Sequence, residues 1–296
     1  MFKILLLAIC FAISFYISTA LATYYSPLLM IGLRGLIAGS ILLAMHYFSK
    51  TASQINLIKY KYQYLSAITL GFVVPFIFSA FILDKLPIVD LAVIATLEPI
   101  ATYFVATLFF KEQLNKQQLF YLFLGTVFAF LAVIIEAGID RISLISWHEL
   151  VAILAVIVLA VGWIKIGKLT KLNEPEDSIT GLGLVSTGII ATLLAYPLNH
   201  HRFTIAIVPL VMFFLTIFFG DLIVNRMRVR LTKTHSKTLL SLICIFSPFI
   251  IALHEELFHH RHYSYKFFLL AIPSIFCFMA FYRAETKNRS NQPSQK

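Results

Sequence analysis

The stretch from Pro87 to Phe109 reads PIVDLAVIATLEPIATYFVATLF. An α-helix needs about 20 mainly apolar residues to cross the roughly 30 Å hydrocarbon core of a membrane. This stretch is long enough, and Glu98 lies near its middle. The stretch therefore predicts a membrane-spanning helix with a carboxyl group deep in the bilayer.

The composition extends this prediction to the whole chain. Of its 296 residues, 59% are hydrophobic and 13% are charged, and the mean hydropathy is +0.86. A soluble domain carries about 25% charged residues, so a water-soluble fold would have too little polar surface here. The strict alternation of barrel strands is missing, which leaves membrane-spanning α-helices.

We predict an all-α integral membrane protein of about ten transmembrane helices in two sets of five. Residues 1–140 form the first repeat, residues 141–284 form a second, degenerate repeat, and residues 285–296 form a cytoplasmic tail. The predicted spans are 3–22, 28–48, 63–83, 87–109, 117–137, 148–168, 179–197, 204–225, 238–254 and 264–282.

The basic residues predict the orientation of these spans. Of the 24 Lys and Arg residues, Arg34 lies within a span and only five fall on one side: Lys85, Arg141, Arg202, Arg261 and Lys266. All others lie at the opposite side, which the positive-inside rule makes cytoplasmic. Both termini are therefore expected in the cytoplasm, with the protein in the inner (plasma) membrane. The net charge of +10 then serves topology, and we expect no nucleic-acid partner.

The N-terminus leaves one alternative open. Lys3, the apolar run behind it and the small residues at Thr19–Ala22 also resemble a cleavable signal peptide. Cleavage would leave nine spans and remove the symmetry of the two sets.

Five is an odd number, so the second set is expected to insert in the opposite direction to the first. Such inverted repeats are common in transporters. A weak internal echo supports them, because one fixed offset places Gly32 on Gly181, Gly39 on Gly188, and Pro99 on Pro248. Gly35 and Gly39 lie on one helical face, where small residues allow close packing of helices or form a gating hinge.

A family resemblance rests on the stretch EPIATYFVATLFFKEQL, residues 98–114, with Gly125 in the following helix. It resembles the fourth-helix signature of the EamA family in the drug/metabolite transporter superfamily. Arg34 resembles the second-helix arginine of that family, and Trp163 with the lysines after it resembles the sixth helix. The resemblance covers residues 1–137, whereas the second half matches in layout more than in residues, with Ser247 standing where Glu98 stands.

The resemblance implies two inverted repeats that work by alternating access on amino acids, metabolites, nucleotide derivatives or drugs. The sequence contains no phosphate loop, Rossmann glycine pattern or zinc-type cysteine pairing, and we predict neither an enzyme nor a cofactor. A small-molecule substrate and the lipid bilayer are the expected partners, while the oligomeric state is left open.

Glu98 is the leading candidate for a functional residue. A carboxylate near the midplane is costly and usually faces a cavity or a partner, and Pro99 beside it weakens the helix locally. Two interpretations stay open. Glu98 is either a proton-coupling or substrate-cation site, or a structural group that bonds a neighbouring helix.

Arg34 and Asp221 are the other charged residues within or near spans. Arg34 cannot lose its charge, so we expect it to pair with Glu98, with Asp90 or with an anionic substrate. Asp221 is expected to form an ion pair at the cytoplasmic end of its span rather than a gate. Further candidates for the substrate or proton pathway are Tyr16, Thr102, Tyr103, Trp163 and Ser247.

The histidines do not match a known pattern of metal ligands. His254, His259, His260 and His262 share a short outer loop with two glutamates, yet no recognised metal-ligand spacing is present, so we predict no metal. The three cysteines lie in apolar runs and read as small apolar residues.

These observations favour a secondary transporter of a small solute, with export favoured and proton coupling open. An uptake permease for a host metabolite is the main alternative. A lipid-modifying membrane enzyme would need clustered polar residues at one membrane face, and an assembly factor would not need a buried carboxylate.

Overall fold

The computed structural model describes residues 2–49, 55–83, 85–86, 88–110, 114–137, 146–198, 205–259 and 262–291. Within them the chain is all-helical. The helices of the first half are α1 (Phe2–Leu21), α2 (Pro27–Phe48), α3 (Lys61–Ile82), α4 (Ile88–Ala95 continued by Glu98–Phe110) and α5 (Lys116–Ala137). Those of the second half are α6 (Trp147–Lys171), α7 (Glu176–Ala195), α8 (Ile207–Leu231), α9 (Lys237–Ser241, Leu242–Phe246 and Ser247–His259) and α10 (Tyr265–Asn291).

The described helices confirm the predicted membrane fold. Nine of them are long and apolar enough to cross a membrane, and the tenth is the shorter apolar helix Lys237–Leu253 within α9. The apolar part of α9 ends at Leu253 because His254, Glu255 and Glu256 follow in the sequence, and a 3₁₀ segment at Leu242–Phe246 lies within it. The outward surface of the bundle carries many large apolar side chains, as a lipid-facing surface requires.

Glycines set the closest contacts between helices. α2 packs along α7, and a Cβ added at Gly35 would lie 2.6 Å from the Leu184 carbonyl oxygen and 3.1 Å from Gly188 Cα. In lipid no hydrophobic force drives helices together, so close van der Waals packing over small residues holds this pair. The glycines of α2 therefore form a packing seam, one of the two roles expected for them.

Two of the described helices contain π-helical turns. One occupies Thr69–Val73 of α3, directly before Pro75, whose missing N–H prevents a regular hydrogen bond. The other occupies Ile217–Asn225 of α8 and carries Asp221. Such turns often mark functional sites, because they turn side chains away from their regular helical positions.

Candidate functional site

A cavity of about 240 Å³ lies inside the bundle among α1, α2, α3, α4, α6, α7 and α8. Its walls are mainly apolar, with Phe76, Leu91 and Leu159 among them. A few polar side chains converge on it, as in many small-molecule sites. They are Ser14, Ser18, Arg34, Ser79, Glu98, Thr187, Asp221 and Asn225.

Arg34 and Asp221 form one charged pair of this cavity. Arg34 Nε donates to Asp221 Oδ2 at 2.9 Å, and Arg34 Nη1 donates to Ser18 Oγ at 2.8 Å. Asn225 Nδ2 donates to Asp221 Oδ1 at 3.4 Å, so both carboxylate oxygens have a donor. The pair therefore connects α1, α2 and α8.

Gly220 makes room for this pair. A Cβ at Gly220 would lie 2.1 Å from Ser14 Oγ and 3.1 Å from Arg34 Nη2. Any larger residue would therefore push against the groups that position Arg34. The π-helical turn of α8 thus places the backbone of Gly220 close to the Arg34 guanidinium. It also places the Asp221 carboxylate within hydrogen-bond distance of that guanidinium.

Glu98 belongs to a second charged pair. α4 is interrupted at Thr96 and Leu97, so Glu98 and Pro99 are the first residues of its second segment. A proline there costs no helical hydrogen bond, and a carboxylate at a helix N-terminus is favoured by the free backbone N–H groups. Arg228 Nη2 donates to Glu98 Oε1, and Cys244 Sγ donates to Glu98 Oε2 at 3.0 Å.

The Trp163 ring packs against the Arg228 guanidinium. The Arg228 guanidinium carbon lies 4.3 Å from the centroid of the Trp163 ring, a cation–π contact. Glu98 thus sits at the meeting point of α4, α8 and α9, and α6 backs the arginine. Glu98 lines the cavity, whereas Arg228 closes the site behind it.

Burial makes both pairs energetically important. Arg34 and Asp221 are 8% and 4% exposed, and Glu98 and Arg228 are 3% and 4% exposed. A buried ion pair adds little net stability, but removing one partner leaves an unpaired buried charge and costs about 3–5 kcal/mol. Each pair is therefore a strong constraint between the parts of the chain that it joins.

These contacts correct two predictions from the sequence. Arg34 pairs with Asp221, not with Glu98 or Asp90. Asp221 does not form an ion pair at the cytoplasmic end of its span, because the π-helical turn directs it into the cavity. Arg228, counted with the basic residues that set topology, is instead the buried partner of Glu98.

The other predicted site residues fall into two groups. Thr102 and Ser247 are buried, and among the described residues neither hydroxyl has a hydrogen-bond partner, nor does Trp163 Nε1. Tyr16 and Tyr103 do not line the cavity. Tyr103 instead packs edge-on against Phe123 of α5, with ring centroids 6.4 Å apart.

Some site residues escaped the sequence analysis. The sequence could have indicated Arg228, because it follows Asp221 by seven residues. At that spacing two residues lie about two helical turns apart on the same face. Ser79, Thr187 and Cys244 had none, because isolated small polar residues occur throughout apolar helices. In the described part of the chain, no group of three His, Cys, Asp or Glu residues could hold a metal ion. Of the predicted histidine loop, His260 lies outside the described residues.

Polar contacts tie the helix ends together where α7 begins. Arg226 donates to both Asp177 oxygens at 2.5 and 2.9 Å, and Lys233 Nζ lies 2.6 Å from Glu176 Oε1. The buried Glu174 accepts from Tyr64 Oη at 2.7 Å. Most of the cavity lining comes from the last parts of α1 and α3 and the first parts of α2, α4 and α6, away from this polar end, whereas α8 contributes residues 220–225 from its later part.

This fold and cavity define a class: a polytopic helical membrane protein with a small-molecule-sized internal site. Among solved structures, 28 chains match the fold. One crystal structure of a protein superposes with a TM-score of 0.74 over 97% of this chain and 98% of its own, at 14% identity. No curated protein matches the sequence significantly.

A family model matches the first half of the chain. Residues 1–135 match the model of the EamA-like transporter family. The match confirms the predicted resemblance of the first half of the chain to that family, and it includes Arg34 and Glu98.

Proposed function

We propose that the protein is a secondary transporter that carries a small solute through the central cavity by alternating access. The observation that carries the proposal is a membrane-buried cavity whose two charged pairs both join the first half of the chain to α8. A cavity held closed by contacts between two halves can open when those halves move apart. The volume of about 240 Å³ suits a small molecule, not a polymer.

Reciprocal contacts support two inverted halves, residues 1–140 and 141–284. A Cβ at Gly39 would lie 2.8 Å from the Gly181 carbonyl oxygen, and one at Gly188 would lie 2.9 Å from that of Gly32. The sequence echo pairs Gly32 with Gly181 and Gly39 with Gly188, so exchanging the halves turns one contact into the other. A two-fold axis between α2 and α7 predicts this relation.

The π-helical turns extend the same echo. The offset that relates these glycines also places Gly71 on Gly220, and each lies in the π-helical turn of its half. Both glycines face a close neighbour: Gly71 lies against Gly162, and Gly220 lies against Ser14. The third helix of each half therefore carries the same local distortion beside the cavity.

The polar contacts at one end of the bundle support a proposal for the side of the membrane on which the cavity is open. With both termini in the cytoplasm, the polar network around Glu174, Asp177 and Arg226 lies at the cytoplasmic face of the inner membrane. The cavity then faces outward, and the Glu98–Arg228–Trp163 cluster lies at its inner boundary. Inward opening requires α8 to release Asp177 and Glu98 together.

Glu98 is the proposed switch of this cycle. Protonation would remove its attraction for Arg228, and substrate binding in the cavity could do the same by competing for either partner. Proton coupling and export are thus the favoured form of the proposal. Uptake of a metabolite uses the same geometry in the opposite direction.

The test compares small-molecule pools inside and outside cells that express the wild type, Glu98→Gln or Glu285→Gln at equal membrane abundance. Glu285 is a matched control, because it is 3% exposed like Glu98 but lies outside the cavity and accepts from Ser236 Oγ at 2.5 Å. We expect one class of metabolite to shift with the wild type and the control but not with Glu98→Gln. A wild type that shifts no pool in either direction would refute the proposal.

A further inference from the structure

Five buried polar side-chain atoms near Glu98 have no hydrogen-bond partner within the described residues. The residues that carry them are each at most 4% exposed, and none lines the central cavity. The five atoms are Thr102 Oγ1, Trp163 Nε1, Arg228 Nε, Thr238 Oγ1 and Ser247 Oγ. Because an unpaired buried polar group is costly, nearly all such atoms in proteins bond another protein group or an ordered water.

Three of these atoms are hydroxyl oxygens of α4 and α9. Thr102 lies one helical turn beyond Glu98 on the same face of α4, about 6 Å along the helix axis. Ser247 lies about one turn beyond Cys244, whose thiol donates to Glu98. Thr238 lies in the first segment of α9, which packs against the second segment of α4. The three hydroxyl groups therefore lie around Glu98 on two helices that are in contact.

Thr102 does not use the common partner of a hydroxyl group in a helix. Such a group often bonds a carbonyl oxygen three or four residues earlier in its own helix. Thr126 and Ser274 do so here, since each donates at 2.9 Å to the carbonyl oxygen four residues before it. Thr102 Oγ1 makes no such bond to the Glu98 carbonyl oxygen. Its hydroxyl group is therefore left for a partner outside its own helix.

We propose that these five groups bind internal water, and that this water forms the cytoplasmic half of a proton route to Glu98. The route rests on the proposed function, in which Glu98 is the switch. A buried water usually makes about three hydrogen bonds to buried polar groups. The N–H groups of Trp163 and Arg228 only donate, whereas the hydroxyl groups both donate and accept. Water can therefore use its lone pairs and its hydrogens in this cluster.

The position of the cluster gives the route its direction. α9 starts near the end of α6, where Lys237 lies against Gly167, and the second segment of α4 runs toward the same end of the bundle. In the proposed topology this end faces the cytoplasm, so Thr102 and Thr238 lie on the cytoplasmic side of Glu98. A water molecule gives a proton to the Glu98 carboxylate and regains one from the next water on that side. The substrate approaches Glu98 from the central cavity instead.

X-ray radiolysis followed by mass spectrometry tests the water site in the purified full-length protein. Radicals formed from bound water oxidise the side chains beside it, whereas radicals made in bulk solution by peroxide photolysis oxidise exposed side chains. The chain contains its own standards, because Trp147 is 73% exposed and Cys277 is buried against Gly125 of α5. We expect radiolysis to oxidise Cys244 several-fold faster than Cys277. Trp163 should be oxidised by radiolysis but, unlike Trp147, hardly by photolysis.

Two double variants show whether the hydroxyl groups hold this water. Thr102→Val/Ser247→Ala should slow the oxidation of Cys244 several-fold, because the water loses two of its partners. Thr126→Val/Ser274→Ala is the matched control, since those hydroxyl groups are also buried but bond within their own helices. Thr102→Ser keeps the hydroxyl group and should keep the fast oxidation, which covers poor folding of the first variant. Slow oxidation of Cys244 in the wild type, or fast oxidation in Thr102→Val/Ser247→Ala, would overturn the inference.

A transport assay in proteoliposomes tests the proton route separately from the water. Its substrate is the metabolite found by the comparison of pools. Transport driven by a pH gradient requires net proton transfer, whereas exchange of labelled for unlabelled substrate at equal pH does not. Thr102→Val/Ser247→Ala should slow the first several-fold and leave the second near the wild-type rate. Equal loss of both would overturn the proton route. A wild type without transport would refute the proposed function, while radiolysis would still decide whether the water site exists.

Discussion

Asp221 and Arg228 lie two helical turns apart on α8, and each forms a buried ion pair with the first half of the chain. Asp221 accepts from Arg34 of α2, and Arg228 donates to Glu98 of α4. α8 of the second half thus carries an acidic residue that pairs with a basic residue of the first half, and a basic residue that pairs with an acidic one. α8 cannot move away from the first half without separating both pairs.

The first prediction concerns the Arg34–Asp221 pair. Arg34→Ala and Asp221→Ala should each reduce the free energy of unfolding by about 3–5 kcal/mol, since each leaves a buried charge without a partner. The double variant should be less destabilised than the sum of the two, and thermal unfolding in detergent measures all three. Additive effects, with no coupling between the positions, would show that the pair does not hold α2 to α8.

The sequence predicted the fold well for a physical reason. Hydrocarbon requires long apolar helices, so the length of each apolar run nearly defines its span. The ninth span, predicted at 238–254, agrees with the apolar part Lys237–Leu253, but the 3₁₀ segment inside it was not predicted. Hydropathy measures composition, and it does not register a change from α to 3₁₀ winding.

The site was predicted less completely. Glu98 and Arg34 stood out because a charge in an apolar run is costly, and both line the cavity. Their partners did not follow from the sequence, because pairing depends on which helices are neighbours and on the π-helical turn that directs Asp221 inward. Arg228 was hidden among the basic residues that set topology.

The second prediction concerns the ring behind Arg228. Trp163→Phe keeps an aromatic face and should reduce transport slightly, whereas Trp163→Leu removes the cation–π contact, worth about 2 kcal/mol when buried. Uptake or efflux of the identified substrate should therefore fall several-fold more in the leucine variant at matched abundance. Equal activity of the two variants would show that the ring only fills space.

The third prediction concerns Gly220. Gly220→Ala should impair transport and stability, because its Cβ would lie 2.1 Å from Ser14 Oγ. Ser14→Ala should partly rescue it, since the nearest remaining atoms are then 3.1 Å away. Gly125→Ala is the matched control, as its Cβ meets nothing closer than 3.2 Å. Melting temperatures are compared for Gly220→Ala, Ser14→Ala, the double variant Gly220→Ala/Ser14→Ala and Gly125→Ala. A double variant no more stable than Gly220→Ala would contradict this account.

The fourth prediction concerns the contact between α3 and α6. A Cβ at Gly162 would lie 2.3 Å from Gly71 Cα and from the Leu70 carbonyl oxygen, and a backbone cannot move away cheaply. Gly162→Ala should therefore destabilise the protein by roughly 1–3 kcal/mol or more. Gly167→Ala on the same helix should cost less, because its close neighbour at 2.4 Å is the flexible Lys237 Cε. Similar losses in both variants would contradict this account.

The last prediction tests which face of the cavity is open. The three native cysteines are buried, so single cysteines introduced elsewhere can be followed with a membrane-impermeant thiol reagent. Tyr196→Cys, at the end of α7 and 83% exposed, should react in intact cells, and Tyr62→Cys, near the start of α3 and 73% exposed, should react only after permeabilisation. Ile82→Cys, which lines the cavity, should react from outside if that side is open. Reaction at position 82 only after permeabilisation would place the opening at the cytoplasmic face, and α8 would then close the outer side in this state.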